Sequence, residues 1–284
     1  MRLLSGLFKL MRPHQWLKNL FVFAGLLFSG NWHDPALAKL VLLAFGAFCA
    51  VSSLVYVVND WADREADAAH PAKRFRPLAS GAVSPWQAAV LGLALFGAGV
   101  ALAWGNRSLF VLLTLYAALN LGYSFGLKRV PVVDVSIIAS GFMLRLLAGT
   151  LAVGIAPSRW MLLTGIFVAL FLGFSKRKAE TFHEVSRQRA VMAHYPSSLL
   201  DTYMAVTMTA TITTYSLFAT SPEAQAQHSE RLIYTVPMVI FGLLRYAYQV
   251  HRGLGEDVSR DLLRDPWILG AGLAWCAVFL GLHW

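Results

Sequence analysis

Charged residues are scarce in this chain. They make up 14% of its 284 residues, against 57% hydrophobic residues and a mean hydropathy of +0.56. About a quarter of the residues of a typical soluble domain are charged, so this composition argues against a cytosolic globular protein. Cysteine is also rare. The only two, Cys49 and Cys276, both lie in apolar runs, which excludes a disulfide framework and a CxxC metal site.

Several sequence signatures are missing as well. There is no GxxxxGK[ST] or GxGxxG stretch, so binding of ATP or NAD has no support. The histidines have no partners at ligand spacing, which argues against a zinc site or a Ser-His-Asp hydrolase. No basic domain stands apart from the apolar segments, so we expect no nucleic-acid partner.

Apolar segments are present from end to end. Nine are long enough to be candidates for crossing a bilayer, with tilting or half-helices expected where they are short. They predict one all-α, polytopic membrane domain over residues 1–284 with about nine transmembrane helices. The segments lie near residues 16–30, 38–58, 86–104, 108–123, 133–153, 160–174, 203–220, 231–249 and 267–283.

The basic residues give an independent indication of topology. With nine spans, 18 of the 24 lysines and arginines fall on the side that carries the N-terminus, and four fall on the other side. This asymmetry predicts that the N-terminus is cytoplasmic. The net charge of +9 is therefore concentrated at one face, where it could also attract anionic lipids.

The few acids are clustered. Four of the 15 carboxylates fall within residues 60–67, directly after the second apolar segment, in the pattern N-D-x-x-D-x-x-x-D that starts at Asn59. On a continuing helix, Asn59, Asp63 and Asp67 would share a face, with Asp60 on its flank. Oxygen ligands grouped in this way suit Mg²⁺. The alternative is a solvated acidic loop that pairs with neighbouring cations.

A basic loop follows the acids. Lys73, Arg74 and Arg76 lie between two prolines, which suggests a stiff phosphate clamp beside the metal site. Magnesium on one side and cations on the other would make a bound diphosphate a good leaving group. The alternative is an ordinary positively charged end of a cytoplasmic loop.

These motifs resemble the UbiA superfamily of intramembrane prenyltransferases, and within it the branch that transfers 5-phosphoribosyl groups to polyprenyl phosphates. The resemblance spans nearly the whole chain in order. It is carried by residues 12–19 (RPHQWLKN), the acid motif running into H-P-x-K-R-x-R-P, residues 123–128 (YSFGLK) with Asp134, residues 176–180 (KRKAE) and residues 244–246 (LRY).

The resemblance implies a cavity open to the cytoplasmic side of a bacterial inner membrane. It implies Mg²⁺-dependent transfer of the phosphoribosyl group of PRPP to a polyprenyl phosphate, giving a lipid-linked pentose precursor for envelope polysaccharide. Whether the protein forms a homo-oligomer is left open. The predicted catalytic residues are Asp60, Asp63, Asp67 and Lys73, and the predicted metal ligands are Asn59, Asp60, Asp63 and Asp67. The predicted substrate-binding residues are Lys18, Asn19, Asn59, Arg74, Arg76, Tyr123, Lys128, Asp134, Arg145, Lys176, Arg177, Glu180 and Arg245.

One departure from the superfamily separates two functions. The aromatic prenyltransferases share a second motif, D-x-x-x-D, at the end of the sixth span, where this chain has residues 175–180 (SKRKAE), followed by His183 and Glu184. Three cations in place of acids suit the several phosphates of PRPP and its acceptor. The alternatives are an aromatic prenyltransferase of quinone or haem pathways, which the missing motif disfavours, and a transporter, which would not need the acid cluster.

Two arginines fall within predicted spans. A charge at such a depth costs several kcal/mol unless it is paired or faces water, roughly as for any intramembrane ionisable group. For Arg145 we expect either a salt bridge or contact with a substrate phosphate, and Arg245 raises the same question. Asp134 opens the span that contains Arg145 and could hold Lys128 or a ribose hydroxyl.

Overall fold

The protein is built from α-helices joined by short 3₁₀ segments. The computed structural model describes residues 2–31, 33–71, 73–182, 190–255 and 264–282. Helices make up 83% of the structure, and these described ranges contain no strand. The predicted all-α fold is therefore confirmed. His183 and Glu184 lie outside the described residues.

The α-helices are numbered here in chain order. They are α1 (Arg2–Met11), α2 (Ala24–Ser29), α3 (Pro35–Ala62), α4 (Arg64–Ala69), α5 (Pro85–Leu102), α6 (Arg107–Phe125), α7 (Val133–Ala148), α8 (Arg159–Glu180), α9 (Ser197–Ala219), α10 (Pro222–His228), α11 (Val236–His251) and α12 (Pro266–Gly281). The 3₁₀ segments are Pro13–Phe23, Lys73–Phe75, Leu127–Arg129, Leu151–Val153, Ala190–His194 and Glu230–Thr235.

Helical structure occurs in each of the nine predicted segments. Within the described residues, five stretches are long and apolar enough to cross a membrane by length and composition: Pro35–Ala62, Pro85–Leu102, Arg107–Phe125, Val133–Val153 and Arg159–Glu180. The total of nine spans stays a prediction.

The first predicted span is not one α-helix, because it is 3₁₀ as far as Phe23 and α only from Ala24. A 3₁₀ helix has three residues per turn, so residues three apart share a face. Trp16 donates a hydrogen bond to Ser53 at 3.0 Å, and Asn19 donates one to Cys49 at 3.2 Å. Both partners lie on α3, so the three-residue period places Trp16 and Asn19 on the face that contacts α3.

Helix starts follow from local sequence. Asp34, Ser84 and Asp265 each precede a proline at the first helical position, and each side chain accepts at least one hydrogen bond from a backbone N–H group of the first turn. A backbone N–H at the first helical position has no acceptor within the helix, so proline, which lacks this N–H, loses no hydrogen bond there. The capping side chain accepts from N–H groups of the first turn that have no partner within the helix.

Two compact units can be distinguished. The first contains residues 1–26, 32–125 and 144–155, and the second contains residues 27–31, 126–143 and 156–284. In the first unit, α3 packs against α5, α6 and the 3₁₀ segment Pro13–Phe23, around a core that includes Phe48 and Tyr116. In the second unit, α8 packs against α9 and α11, around a core that includes Phe171 and Tyr246.

Candidate active site

The acid motif lies where α3 ends. The helix stops at Ala62, Asp63 takes a non-helical conformation, and α4 begins at Arg64. The predicted continuous helix through Asp67 is therefore wrong, because it is interrupted at Asp63. Asp60 and Asp67 are both 3% exposed, whereas Asn59 and Asp63 are half-buried.

Arg76 joins the two buried aspartates. Its Nη1 atom donates to Asp67 Oδ2 at 2.6 Å and to Asp60 Oδ1 at 3.1 Å. Lys73 lies 3.8 Å from the other oxygen of Asp67. The turn after α4 brings these cations back, because Arg74 and Arg76 close backbone hydrogen bonds to His70 and Lys73. The acid motif and the basic loop are thus one electrostatic cluster.

Arg12 completes this cluster from the N-terminal segment. Its Nη2 atom lies 2.5 Å from Asp60 Oδ1, and its guanidinium stacks 4.8 Å above the centre of the Tyr56 ring. Arg12 has φ = 53°, in the left-handed region that non-glycine residues rarely occupy. Outliers of this kind concentrate at functional sites.

A cleft of about 540 Å³ opens beside this cluster. Its wall carries three cations, Lys9, Arg12 and Arg76, against one acid, Asp60. The remaining lining residues are Phe8, Pro13, His14 and Pro77. The excess of positive charge suits an anionic ligand with several oxygens, such as a phosphate.

Other predicted residues of the first unit are spread over several of its elements. Asn59 accepts a hydrogen bond from Ser124 at 2.6 Å, which ties the acid motif to the end of α6. Arg74 is exposed and stacks on Phe75. Lys18 and Tyr123 are half-buried.

A second polar group surrounds Arg145. Its Nε donates to Asn19 at 2.7 Å and its Nη2 donates to Tyr116 at 3.0 Å, while the guanidinium lies over the rings of Tyr116 and Phe48. Two predicted substrate-binding residues, Asn19 and Arg145, therefore bind each other. Arg145 is 5% exposed, so these contacts supply much of the stabilisation that its buried charge requires.

The second unit contains a buried ionic group. Arg177 is 1% exposed and bonds Asp134 at 2.7 Å and Glu180 at 2.5 Å. Tyr195 donates to the other oxygen of Asp134 at 2.7 Å. Three predicted substrate-binding residues are thus brought together in contacts with one another, and their binding of substrate stays a prediction.

The remaining predicted residues are distributed over the second unit. Arg245 bonds Asp265 through two nitrogens, at 2.8 and 3.0 Å, and Gln249 donates to the same oxygen. The hydrogen bonds from Arg245, together with those from Gln249 and the first turn of α12, hold the pKa of Asp265 down at about 2. Lys128 and Lys176 are half-buried.

Sequence reasoning missed several of these residues. Arg12 and Lys9 line the cleft, and only the position of Arg12 just before Pro13, inside the quoted 12–19 stretch, could have pointed to it. Tyr195 and Asp265 lie in no motif, so their partners became visible only in the folded chain.

The all-α fold, the long apolar helices and the acid motif at a helix end are those of an intramembrane transferase. Residues 19–264 match the model of the UbiA prenyltransferase family, and the chain belongs to that family. It is an integral membrane protein.

Individual relatives narrow the comparison. The chain is 37% identical to decaprenyl-phosphate phosphoribosyltransferase of Mycolicibacterium smegmatis over 96% of its own length and 91% of that protein. It is 36% identical to the protein of the same name from Corynebacterium glutamicum, over 96% and 85% of the two chains. Among solved structures, a UbiA homolog from Archaeoglobus fulgidus bound to GPP and Mg²⁺ superposes with a TM-score of 0.70 at 18% identity, covering 98% of this chain and 99% of that one.

Proposed function

We propose that this chain is a transferase that moves the 5-phosphoribosyl group of PRPP to a polyprenyl phosphate and releases diphosphate. The names of relatives that are 36–37% identical over nearly the whole chain support this activity. The observation that carries it is the cluster at Asp60, where buried carboxylates and three cations meet beside an anion-attracting cleft.

The chemistry of this cluster fits a divalent cation in part. Asp60 and Asp67 converge on a single cationic atom, Arg76 Nη1, and carboxylate oxygens are the ligands that Mg²⁺ prefers. The described residues contain no group of three acids, histidines or cysteines placed to hold a metal ion. Asp60 and Asp67 would therefore hold Mg²⁺ together with oxygens of the substrate, while Asn59 and Asp63 stay predicted ligands. Magnesium would neutralise charge on the diphosphate.

The cations supply the rest of the charge balance. The C1–O bond to diphosphate breaks with its electron pair going to the leaving group, and an oxygen of the acceptor phosphate forms the new bond to C1. Arg12, Lys73 and Arg76 would stabilise the leaving diphosphate as its charge grows. The acceptor is already an anion, so the reaction needs no strong general base. Attack from the face opposite the diphosphate would invert the anomeric centre.

The second unit offers further candidates for binding phosphates. We propose Lys128 and Lys176 for this role. Two nitrogens of Arg177 donate hydrogen bonds to Asp134 and Glu180. Arg177 would therefore have to bind a phosphate through other N–H groups of its guanidinium.

We also propose the orientation. With 18 of 24 basic residues on the side of the N-terminus, the acid motif would face the cytoplasm of a bacterial cell, where PRPP and Mg²⁺ are available. The product would be a lipid-linked pentose phosphate for envelope polysaccharide.

One experiment separates this activity from that of an aromatic prenyltransferase. Purified protein is incubated with Mg²⁺, labelled PRPP and polyprenyl phosphate, and the label in the organic phase is counted. We expect label transfer with polyprenyl phosphate and none when a prenyl diphosphate replaces it. Failure to move label with the first acceptor, together with diphosphate release from a prenyl diphosphate and an aromatic acid, would overturn the proposal.

A further inference from the structure

The loop before α7 contains a strained valine. Val132 has φ = 67°, and a β-branched side chain clashes with its own backbone in that left-handed region. Val132 ends the connection that begins at Gly126 and carries Lys128. A backbone held in such a conformation must be fixed by its surroundings, because it would otherwise relax.

Tyr195 supplies a contact that fixes it. The backbone N–H of Val132 donates to the Tyr195 hydroxyl at 2.6 Å. The hydroxyl in turn donates to Asp134 Oδ1 at 2.7 Å, and the second oxygen of Asp134 accepts from Arg177 at 2.7 Å. Asp134 is fully buried and Tyr195 is 4% exposed, so the bonds that join Tyr195, Asp134 and Arg177 are shielded from water, while the bond to Val132 is part-buried.

The chemistry of the hydroxyl suits this arrangement. Burial, and then the bond to Asp134, raise the pKa of Tyr195, so its hydroxyl stays protonated at physiological pH and keeps donating to Asp134. Its oxygen remains able to accept from Val132. A phenylalanine at this position would fill the same space and do neither.

We propose that Tyr195 is a positioning residue, which holds the Lys128 loop (residues 126–132) in its strained conformation by binding Val132 and Asp134 at once. The consequence for substrate binding rests on the proposed function, because it assumes that Lys128 contacts a substrate phosphate. The consequence for the loop itself does not depend on any substrate.

Hydrogen exchange tests the loop without substrate. In Tyr195→Phe we expect backbone amides of residues 126–134 to exchange about tenfold faster, because the hydrogen bonds to Val132 and Asp134 are both lost. The matched control is Tyr234→Phe, which removes a hydroxyl from a residue that is 64% exposed. Exchange in Tyr195→Phe that stays within about twofold of this control would overturn the proposal.

A rescue variant tests the role of strain, and it also covers the case in which Tyr195→Phe folds poorly. Glycine adopts positive φ without a clash, so Val132→Gly should restore slow exchange and folding yield to Tyr195→Phe. Val130→Ala, a change of another exposed valine in the same loop, should restore neither. Equal behaviour of the two double variants would show that Tyr195 does not hold strain at Val132.

Kinetics then test whether Tyr195 acts through Lys128. We expect Tyr195→Phe to raise a substrate KM about tenfold with a smaller change in kcat, and to add less than about twofold in a Lys128→Ala background. If the double variant raises KM by the product of the two separate effects, Tyr195 does not act through Lys128. If no phosphoribosyl transfer occurs in any variant, the proposed function has failed, while the exchange experiments still decide the role of Tyr195.

Discussion

Arg76 bridges Asp60 and Asp67 through one nitrogen atom, which lies 3.1 Å from the first carboxylate and 2.6 Å from the second. The two acids are seven residues apart and belong to different helices. A single guanidinium nitrogen therefore pairs with both buried carboxylates of the acid motif. A divalent cation would compete with it for the oxygens of Asp60 and Asp67.

Removing Arg76 should destabilise the protein and increase its response to magnesium. In Arg76→Gln we expect the free energy of unfolding to fall by about 2 kcal/mol, because two nearly buried carboxylates lose their shared cation. The partial exposure of Arg76 limits the size of this effect. Thermal unfolding in detergent, with and without Mg²⁺, should show a larger Mg²⁺-induced rise of Tm in this variant than in the parent. Arg64→Gln, at an exposed position of α4, is the control; equal Mg²⁺ responses in all three proteins would contradict the prediction.

Activity should depend on the buried acids of the motif and not on the exposed one. We expect Asp67→Asn to lower Mg²⁺-dependent label transfer at least about 100-fold, as loss of a metal-binding charge implies. Glu65→Gln, an exposed neighbour on the same helix, should stay within about twofold of the parent. The same assay on Asp63→Asn decides whether that half-buried residue is a magnesium ligand. Full Mg²⁺-dependent turnover of this variant would show that Asp63 is not one.

Arg145 should prove important for stability rather than for substrate affinity. Arg145→Met removes hydrogen bonds to Asn19 and Tyr116, so we expect the free energy of unfolding to fall by about 3 kcal/mol. The KM for PRPP should change little. Tyr116→Phe, which removes one of these bonds, should cost about 1 kcal/mol. A tenfold rise in KM at an unchanged Tm would instead support the predicted contact with a phosphate.

Gly149 is required by a close backbone approach. A Cβ atom there would lie 1.6 Å from the carbonyl oxygen of Val22, which is backbone and has little freedom to move. We expect Gly149→Ala to lower stability by at least about 3 kcal/mol, or to prevent accumulation of folded protein. Gly97→Ala, where nothing lies within 4 Å, should be neutral or stabilising by up to about 1 kcal/mol. Similar yields and Tm values for both variants would contradict this expectation.

The charge of Asp265 should stabilise the fold in a pH-dependent way. Its pKa is about 2 in the folded protein, below the value of about 3.9 in an unfolded chain. The stabilisation is therefore fully present above about pH 4 and is lost as the pH falls toward 2. Asp265→Asn keeps an N-cap oxygen but loses the charge, so its deficit in Tm should be constant from pH 7 to about pH 5 and shrink below pH 4. A deficit that does not vary with pH would mean that packing, and not the charge, matters there.

The resemblance and the composition predicted the family and the all-α membrane fold, because apolar runs and ordered motifs are properties of the linear chain. The acid motif and the basic loop were also visible as neighbours in sequence. Their meeting at Arg76 was not, because the ion pairs of Arg76 with Asp60 and Asp67 depend on the turn after α4 that returns the basic loop to the end of α3.

The sequence by itself thus determined which residues are apolar, which are charged and where each kind is concentrated, and those patterns are enough to specify helices in a membrane. Only the tertiary structure decided which charges neutralise one another. Arg12 reaches Asp60 across 48 positions, and Tyr195 reaches Asp134 across 61. Such pairs form because a buried charge or hydroxyl must find a partner wherever packing brings one, and no local periodicity encodes that meeting.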